Sequence, residues 1–143
     1  TGEALAAGAH AFTWNGRDDA GAMVPRGTYR TVVTATDGTY SATQKATAVA
    51  DAFRIAVSDS TPGRRQRITV TATSAEKLDR TPRLRVYQPG IAAWSVTMRK
   101  IDTRVYRITV TLKSSKTGTL KLRVSAIDDG GRAQASYRYL PLH

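Results

Sequence analysis

The sequence uses one twelve-residue pattern twice. Residues 27–38 read GTYRTVVTATDG and residues 118–129 read GTLKLRVSAIDD, so Gly, Thr, a large apolar residue, a cation, Val, Ala and Asp recur in the same order. Each copy has a turn glycine, about eight residues with alternating apolar positions, and an Asp turn, which together predict a strand entering a hairpin. The copies start 91 residues apart. That separation is about one β-sandwich domain, so the repeat predicts two related β-units in tandem.

The composition favours an all-β fold without cysteine chemistry. The chain has 143 residues, of which 41% are hydrophobic, which is enough to fill the core of one domain or two small ones. β-branched alternation is nearly continuous, and no helical periodicity lasts beyond about two turns. There is no cysteine, which excludes disulfides, thiol nucleophiles and Cys-ligated metals. No run of eighteen apolar residues occurs, so we expect no insertion into a membrane.

The net charge of +11 is concentrated in the second part of the chain. Residues 1–50 contain four cations and four anions, whereas residues 51–143 contain 18 cations and 7 anions. The change in charge coincides with the sequence repeat, which supports a boundary between the two units. We therefore predict two tandem immunoglobulin-like units, the first incomplete at residues 1–50 and the second complete at residues 51–143.

The first unit carries a specific family resemblance. Residues 10–14 alternate as a short strand, a Gly- and Asp-rich loop follows at residues 15–21, and two further strands are predicted at residues 28–36 and 40–49. The segment GAHAFTWNGRDDAGAMVPRGTYRTVVTATDG, residues 8–38, resembles the C-terminal half of the FlgD-type immunoglobulin-like domain, a family named after the flagellar hook-capping protein. Asn15 replaces the Asp that is usual in the family and keeps its turn role. The resemblance implies an accessory module of a secreted bacterial protein.

The front strands of that family pattern are missing from the sequence. The three predicted strands would expose one apolar face formed by Phe12, Trp14, Tyr29 and Val33, and such a sheet is marginal alone. We expect the missing strands either upstream of Thr1 or supplied by another surface, including a strand exchanged between chains in an oligomer. The residues leave both alternatives open.

The second unit predicts a complete seven-stranded sandwich. Turn signals at residues 61–63, 77–82, 88–90, 102, 114–118 and 128–131 separate seven alternating runs. This count and length are typical of constant-type immunoglobulin or fibronectin-like domains, in which strands A, B, E and D form one sheet and C, F and G the other. The run at Trp94, Val96 and Met98 is then strand D. In the last strand, the alternation predicts inward positions for Ala135, Tyr137 and Tyr139.

The outward side of the C-F-G sheet forms a candidate binding site. The predicted site residues are Arg83, Arg85, Tyr87, Lys121, Arg123 and Arg138. Like charges on adjacent strands are destabilising, and few acidic residues offset them here. The pattern indicates a ligand such as anionic polysaccharide, teichoic acid or extracellular DNA. A solvated face, or a surface that meets an acidic neighbouring domain, explains the same pattern. We expect no specific recognition of nucleic acid, because the other cation clusters lack interleaved aromatic residues.

Catalytic and metal-binding patterns are missing from the sequence. The two histidines are His10, within a predicted strand, and His143, and neither stands in a Ser-His-Asp pattern. The acidic pairs at residues 18–19 and 128–129 lie in Gly-rich turns, where Asp commonly caps its own backbone. No calcium-loop or zinc spacing and no phosphate-binding loop is present. We predict a protein that is not an enzyme and has no metal or cofactor.

The function expected from these features is structural. We expect a non-catalytic accessory or spacer region of an exported or surface-attached bacterial protein, which positions upstream domains of its parent chain. One alternative is a binding module for anionic cell-surface or extracellular polymers. Another is a structural subunit that assembles by strand exchange.

Overall fold

Ten strands and no helix make up the part of the chain described by this computed structural model, which is residues 4–6, 8–21, 24 and 27–143. The fold is all-β, as the sequence predicts. None of these residues belongs to a helix long and apolar enough to cross a membrane. In chain order the strands are β1 Gly27–Thr36, β2 Ser41–Ala50, β3 Phe53–Val57, β4 Arg67–Ser74, β5 Arg83–Gln88, β6 Ile91–Thr97, β7 Arg99–Asp102, β8 Val105–Thr111, β9 Gly118–Ile127 and β10 Ala133–Leu142.

Strands β1 and β2 form a two-stranded antiparallel sheet at the positions that the sequence predicts. Their register runs from Gly27 opposite Ala50 to Thr36 opposite Ser41. The turn between them is closed by Asp37, whose carboxylate accepts hydrogen bonds from the backbone N–H groups of Thr39 (2.9 Å) and Tyr40 (2.7 Å). These contacts hold the pKa of Asp37 below its ordinary value, the bond from Tyr40 more than that from Thr39.

The strand predicted at residues 10–14 is not formed. A strand requires a neighbour that pairs with its backbone, and these residues have none. Instead, the indole of Trp14 donates a hydrogen bond to the Arg17 carbonyl (2.9 Å), and its ring packs against Tyr29 with 5.1 Å between centroids. Part of the family motif, residues 22, 23, 25 and 26, lies outside the described residues.

The second unit is a sandwich of two four-stranded sheets, so it has eight strands rather than the predicted seven. One sheet has the order β3-β4-β8-β7 and the other the order β10-β9-β5-β6. Alternate residues of both sheets fill the space between them, as expected of aligned sandwich packing. The largest fully buried apolar side chains are Phe53, Ile68, Val70, Leu84, Val86, Met98, Leu112, Leu120, Leu122, Val124 and Leu142.

The additional strand is β7, and the prediction that the run at Trp94 is strand D of the other sheet is wrong. This run is β6, which pairs with β5 through the register Leu84–Val96 and Val86–Trp94. Residues 89 and 90 form the connection, and a two-residue connection places the following strand directly beside the preceding one. At Met98, whose N–H donates to the Pro82 carbonyl (2.9 Å), the chain leaves this sheet. The short strand β7 then joins the edge of the other sheet beside β8.

The predicted inward set of the last strand is also wrong. In β10 the buried side chains are Ser136, Leu140 and Leu142. Tyr137 and Tyr139 lie opposite Arg123 and Lys121 of β9, on the solvent face. A tyrosine has an apolar ring and a polar hydroxyl, so its position in an alternating run does not identify the buried face. The two leucines do identify it, and they share the parity of Ser136.

Candidate functional site

The solvent face of the β10-β9-β5-β6 sheet brings together five of the six predicted site residues. Arg83, Arg85 and Tyr87 alternate along β5, and Lys121 and Arg123 alternate along the adjacent β9. Tyr137 and Tyr139 of β10 complete the cluster, because they lie directly opposite the two β9 cations. We call this surface the basic face; it consists of Arg83, Arg85, Tyr87, Lys121, Arg123, Tyr137 and Tyr139.

Arg138, the sixth predicted residue, is not part of the basic face. Its register partner is Leu122, whose side chain is fully buried, so Arg138 has the inward parity of β10. It lines a groove between β10 and β3 together with Ile55 and Val57. The prediction that Arg138 belongs to the site is wrong, and so is the prediction that Tyr137 and Tyr139 face inward. Both follow from assigning the alternating residues of β10 to the opposite faces of the sheet.

Tyrosine rings surround the ammonium group of Lys121. Its Nζ lies 4.8 Å from the ring centroid of Tyr87, 4.9 Å from that of Tyr137 and 5.9 Å from that of Tyr139. The guanidinium carbon of Arg85 lies 5.4 Å from the centroid of the same Tyr87 ring. Cations at such distances are attracted by the ring faces. The aromatic rings therefore hold two of the four cations in defined positions.

The two central arginines of the basic face oppose each other without a compensating acid. Arg85 and Arg123 are direct register partners in adjacent antiparallel strands. The Nε of Arg123 is buried and makes no hydrogen bond. No Asp or Glu occupies an outward position of β5, β6, β9 or β10, strands that the structure describes completely. The positive potential of this face is therefore uncompensated within its own sheet, and it attracts anions.

Hydroxyl groups border the cations on the same face. Ser95 and Thr97 of β6 lie opposite Arg85 and Arg83, and Ser125 of β9 lies opposite Arg83 from the other side. Hydroxyl groups both donate and accept hydrogen bonds, whereas Arg and Lys only donate. The basic face thus combines cations, hydroxyl groups and aromatic rings.

The opposite sheet provides a comparison within the same molecule. Its outward positions also carry four arginines, which are Arg54, Arg67, Arg99 and Arg107. Their outward neighbours are largely threonines, such as Thr71, which accepts a hydrogen bond from Arg107 Nε (3.4 Å). None of the outward residues of these four fully described strands is aromatic. Charge is thus common to both faces, and the tyrosines distinguish the basic face.

Two buried carboxylates lie at one end of the sandwich. Asp128 is fully buried and accepts hydrogen bonds from the N–H groups of Gly130 (3.0 Å) and Arg132 (2.9 Å) and from the Gln134 amide (2.7 Å). The bond from the Arg132 backbone is the main reason why the pKa of Asp128 lies below its ordinary value. The pKa of Glu76 is raised, first by burial and then by the charge of Asp128. The predicted role of Asp128 in closing its own turn is confirmed.

Two other titratable candidates, His10 and Asp18, make structural contacts. The Nε2 atom of His10 lies 2.7 Å from the carbonyl oxygen of Ala6. The carboxylate of Asp18 accepts a hydrogen bond from the N–H of Ala20 (3.1 Å), as expected of an Asp in a turn. Within the described ranges, no three or more His, Cys, Asp or Glu side chains form a group that could hold a metal ion.

The connection between the two units is short and hydrogen-bonded. Only Asp51 and Ala52 separate β2 from β3. The fully buried Ser136 of β10 donates its hydroxyl proton to the Asp51 carboxylate and accepts a hydrogen bond from the Phe53 N–H (2.9 Å). The Ala52 carbonyl accepts a hydrogen bond from the Ala75 N–H (3.0 Å). We call this arrangement the junction. The buried position of Ser136 is not predictable from the sequence, because a small polar residue in an alternating run predicts an outward position.

The fold defines the protein as an all-β chain with an immunoglobulin-like sandwich preceded by a β-hairpin unit. Residues 1–39 match the family model of the FlgD Ig-like domain, which confirms the resemblance inferred from the Trp, Gly and Pro-x-Gly pattern of this segment. A comparison with curated proteins finds no match.

Proposed function

We propose that this chain is a non-catalytic accessory region of an exported or surface-attached bacterial protein, which fixes the orientation of neighbouring domains. The family match of residues 1–39 supports an accessory role, because the resemblance implies such modules in secreted proteins. The lack of catalytic motifs in the sequence supports a role without chemistry. The single observation that carries the positioning role is the junction.

The junction has the properties of a stiff connection. A flexible linker is rich in Gly and Ser and makes few contacts, so its ends move independently. Here both connecting residues are bonded to the sandwich, Asp51 through Ser136 and Ala52 through Ala75. The side chain of Ala52 is itself buried. A domain attached through such a junction keeps its direction relative to the sandwich.

The distance between the two units provides a direct test. The chain has no cysteine. In the double variant Gln44→Cys/Thr111→Cys, a thiol-reactive spin label therefore modifies one site in β2 and one site in β8. We expect a single narrow distance distribution for the parent protein. Insertion of three glycines after Asp51 should broaden the distribution, and Ser136→Ala should broaden it less. Ser125→Ala, which removes a hydroxyl from the neighbouring strand β9, serves as the matched control and should leave the distribution unchanged.

Two results would argue against the proposed function. A parent distribution as broad as that of the glycine insertion would show that the junction does not fix the two units. An unchanged distribution after the glycine insertion would show that other contacts, not the junction, set their orientation. Thermal unfolding of each variant, followed by circular dichroism, establishes that the labelled proteins are folded.

A further inference from the structure

We propose that the basic face binds a polyuronate, which is a polysaccharide whose sugar rings carry carboxylate groups. This activity goes beyond the positioning role and uses a different part of the molecule. Three features of the basic face carry the inference: its opposed arginines, its bordering hydroxyl groups and its exposed tyrosine.

The opposed arginines match carboxylate groups. A guanidinium presents its N–H donors in a planar fork that binds the two oxygens of a carboxylate in parallel. Arg85 and Arg123 lie directly opposite each other, and the buried Nε of Arg123 has no hydrogen-bond partner. Arg83 extends the cationic row along β5, with a spacing of about 6.6 Å for two residues of a strand. A chain with repeated carboxylates can therefore contact several cations at once.

The bordering hydroxyl groups match the neutral part of a sugar chain. Ser95, Thr97 and Ser125 flank the arginines and can both donate and accept hydrogen bonds. Sugar hydroxyl groups have the same two capacities. Phosphate oxygens only accept hydrogen bonds, so a polyphosphate would use the cations but not the acceptor capacity of these side chains.

The tyrosines favour a sugar chain over single-stranded DNA. Proteins that bind single-stranded DNA provide aromatic faces for successive bases. Here Tyr87 and Tyr137 are half-buried, and Lys121 Nζ lies within 5 Å of both ring centroids. Tyr139 is 60% exposed and has a longer contact of 5.9 Å to the same ammonium. One exposed ring at the margin fits packing against a sugar ring better than a row of stacked bases.

The binding test uses the full chain and polygalacturonate as the probe. Affinity is measured by isothermal titration at low and moderate salt for four proteins. These are the parent, Arg85→Gln/Arg123→Gln, Tyr139→Ala, and Arg67→Gln/Arg99→Gln, which removes two exposed arginines from the opposite sheet. Because the last variant has the same net charge as the first, it is the matched control. Dextran of similar length serves as the neutral polymer, and polyphosphate and oligothymidine serve as the competing polyanions.

The expected result is specific to the basic face. The parent should bind polygalacturonate with an affinity that falls steeply as salt rises, and it should not bind dextran. Arg85→Gln/Arg123→Gln should weaken binding by about 100-fold, since each charge-assisted hydrogen bond is worth roughly a factor of ten. Arg67→Gln/Arg99→Gln should weaken it by less than about threefold. Tyr139→Ala should weaken binding to polygalacturonate but not to polyphosphate.

Several results would overturn the proposal. Equal losses in the two arginine variants would show that binding follows net charge rather than the basic face. Polyphosphate or oligothymidine binding as tightly as polygalacturonate would show that the basic face does not select chains of uronate sugars. No binding of polygalacturonate by the folded parent at low salt would exclude the ligand altogether.

Discussion

Two neighbouring carboxylates, Asp128 and Glu76, lie in the same buried environment but have pKa values shifted in opposite directions. Asp128 receives four hydrogen bonds, two of them from backbone N–H groups, and these lower its pKa despite its burial. The Oε1 atom of Glu76 is buried without a hydrogen bond, and burial raises the pKa of this group. Arg132 lies 3.1 Å from the Asp128 carboxylate but 3.9 Å from that of Glu76. The Asp128 carboxylate is therefore stabilised in its charged form, whereas the Glu76 carboxylate is not.

These opposite pKa shifts predict opposite dependences of stability on pH. For Asp128 the pKa in the folded state lies below the ordinary value of 3.8. The contribution of this group to the free energy of unfolding is therefore complete above pH 3.8 and is lost as the pH falls through the folded pKa. For Glu76 the pKa in the folded state lies above 4.5. The free energy of unfolding therefore decreases as the pH rises from 4.5 through that folded pKa. Asp128→Asn should cost about 2 kcal/mol at neutral pH and progressively less in acid. Glu76→Gln should gain stability relative to the parent over the range in which Glu76 ionises.

Urea unfolding of the parent and the two variants at a series of pH values measures these differences. Subtracting the parent's free energy of unfolding removes the contribution of all groups that the substitutions leave unchanged. Asp59→Asn provides a control, because the pKa of Asp59 is lowered by hydrogen bonds from the Thr61 N–H and then from the Gln66 amide, in a separate part of the sandwich. A Glu76→Gln difference that is constant with pH would contradict the raised pKa. An Asp128→Asn penalty that does not decrease as the pH falls below 3.8 would contradict the lowered one.

At the level of elements, the pairing of β5 with β9 places like charges side by side. Arg85 and Arg123 are direct partners in the register of these strands. Directly opposed like charges cost stability, on the order of 0.5 kcal/mol, and salt screens the repulsion. Arg85→Thr replaces a cation with a good strand former, so it should raise the free energy of unfolding by about 0.5 kcal/mol at low salt and by less in high salt.

Denaturant unfolding in urea with and without added sodium chloride tests this prediction. Arg83→Thr is the matched control, because Arg83 lies on the same strand and face but opposite Ser125 rather than a cation. We expect a smaller effect of salt on the stability of Arg85→Thr than on that of Arg83→Thr. The same salt dependence in both variants would show that the repulsion is not localised in the Arg85–Arg123 pair.

The sequence predicts elements best where side chains of clear polarity alternate. In β5 and β9, Leu and Val alternate with Arg and Lys, and the predicted and observed faces agree. The hairpin β1–β2 is also predicted to within one residue at each end, because Gly and Asp turns delimit it. Five of the six predicted site residues lie on the basic face for this reason.

The features that the sequence does not predict depend on contacts between elements. Tyr137, Tyr139 and Arg138 are amphipathic or long side chains, and only their pairing with β9 decides which of them faces solvent. The sheet change at Met98 has no local turn signal, because one buried residue separates β6 from β7. The hydrogen bonds of the junction cannot be predicted from the sequence for a similar reason. Asp51 and Ser136 are 85 positions apart in the chain, and only the folded structure brings them into contact.

On the scale of the whole molecule, the buried core lies in one part of the chain. All of the buried hydrophobic residues of the described structure fall between Ala52 and Leu142. The hairpin β1–β2 leaves Val32, Val33, Tyr40 and Val49 exposed, and a two-stranded sheet alone is marginally stable. The predicted division into units at residues 1–50 and 51–143 therefore has a physical consequence. The free energy of folding should reside almost entirely in the second unit.

This division predicts the behaviour of the separated second unit. Residues 51–143 should unfold cooperatively, with a midpoint within a few degrees of that of the full chain, because they retain the entire described core. Differential scanning calorimetry of both proteins measures the midpoints, and light scattering gives their molar masses. A loss of cooperative unfolding in residues 51–143 would mean that the hairpin unit supplies essential packing. A monomeric second unit beside an oligomeric full chain would instead favour strand exchange through residues 1–50, since the exposed apolar surface of the hairpin would then be covered by another copy.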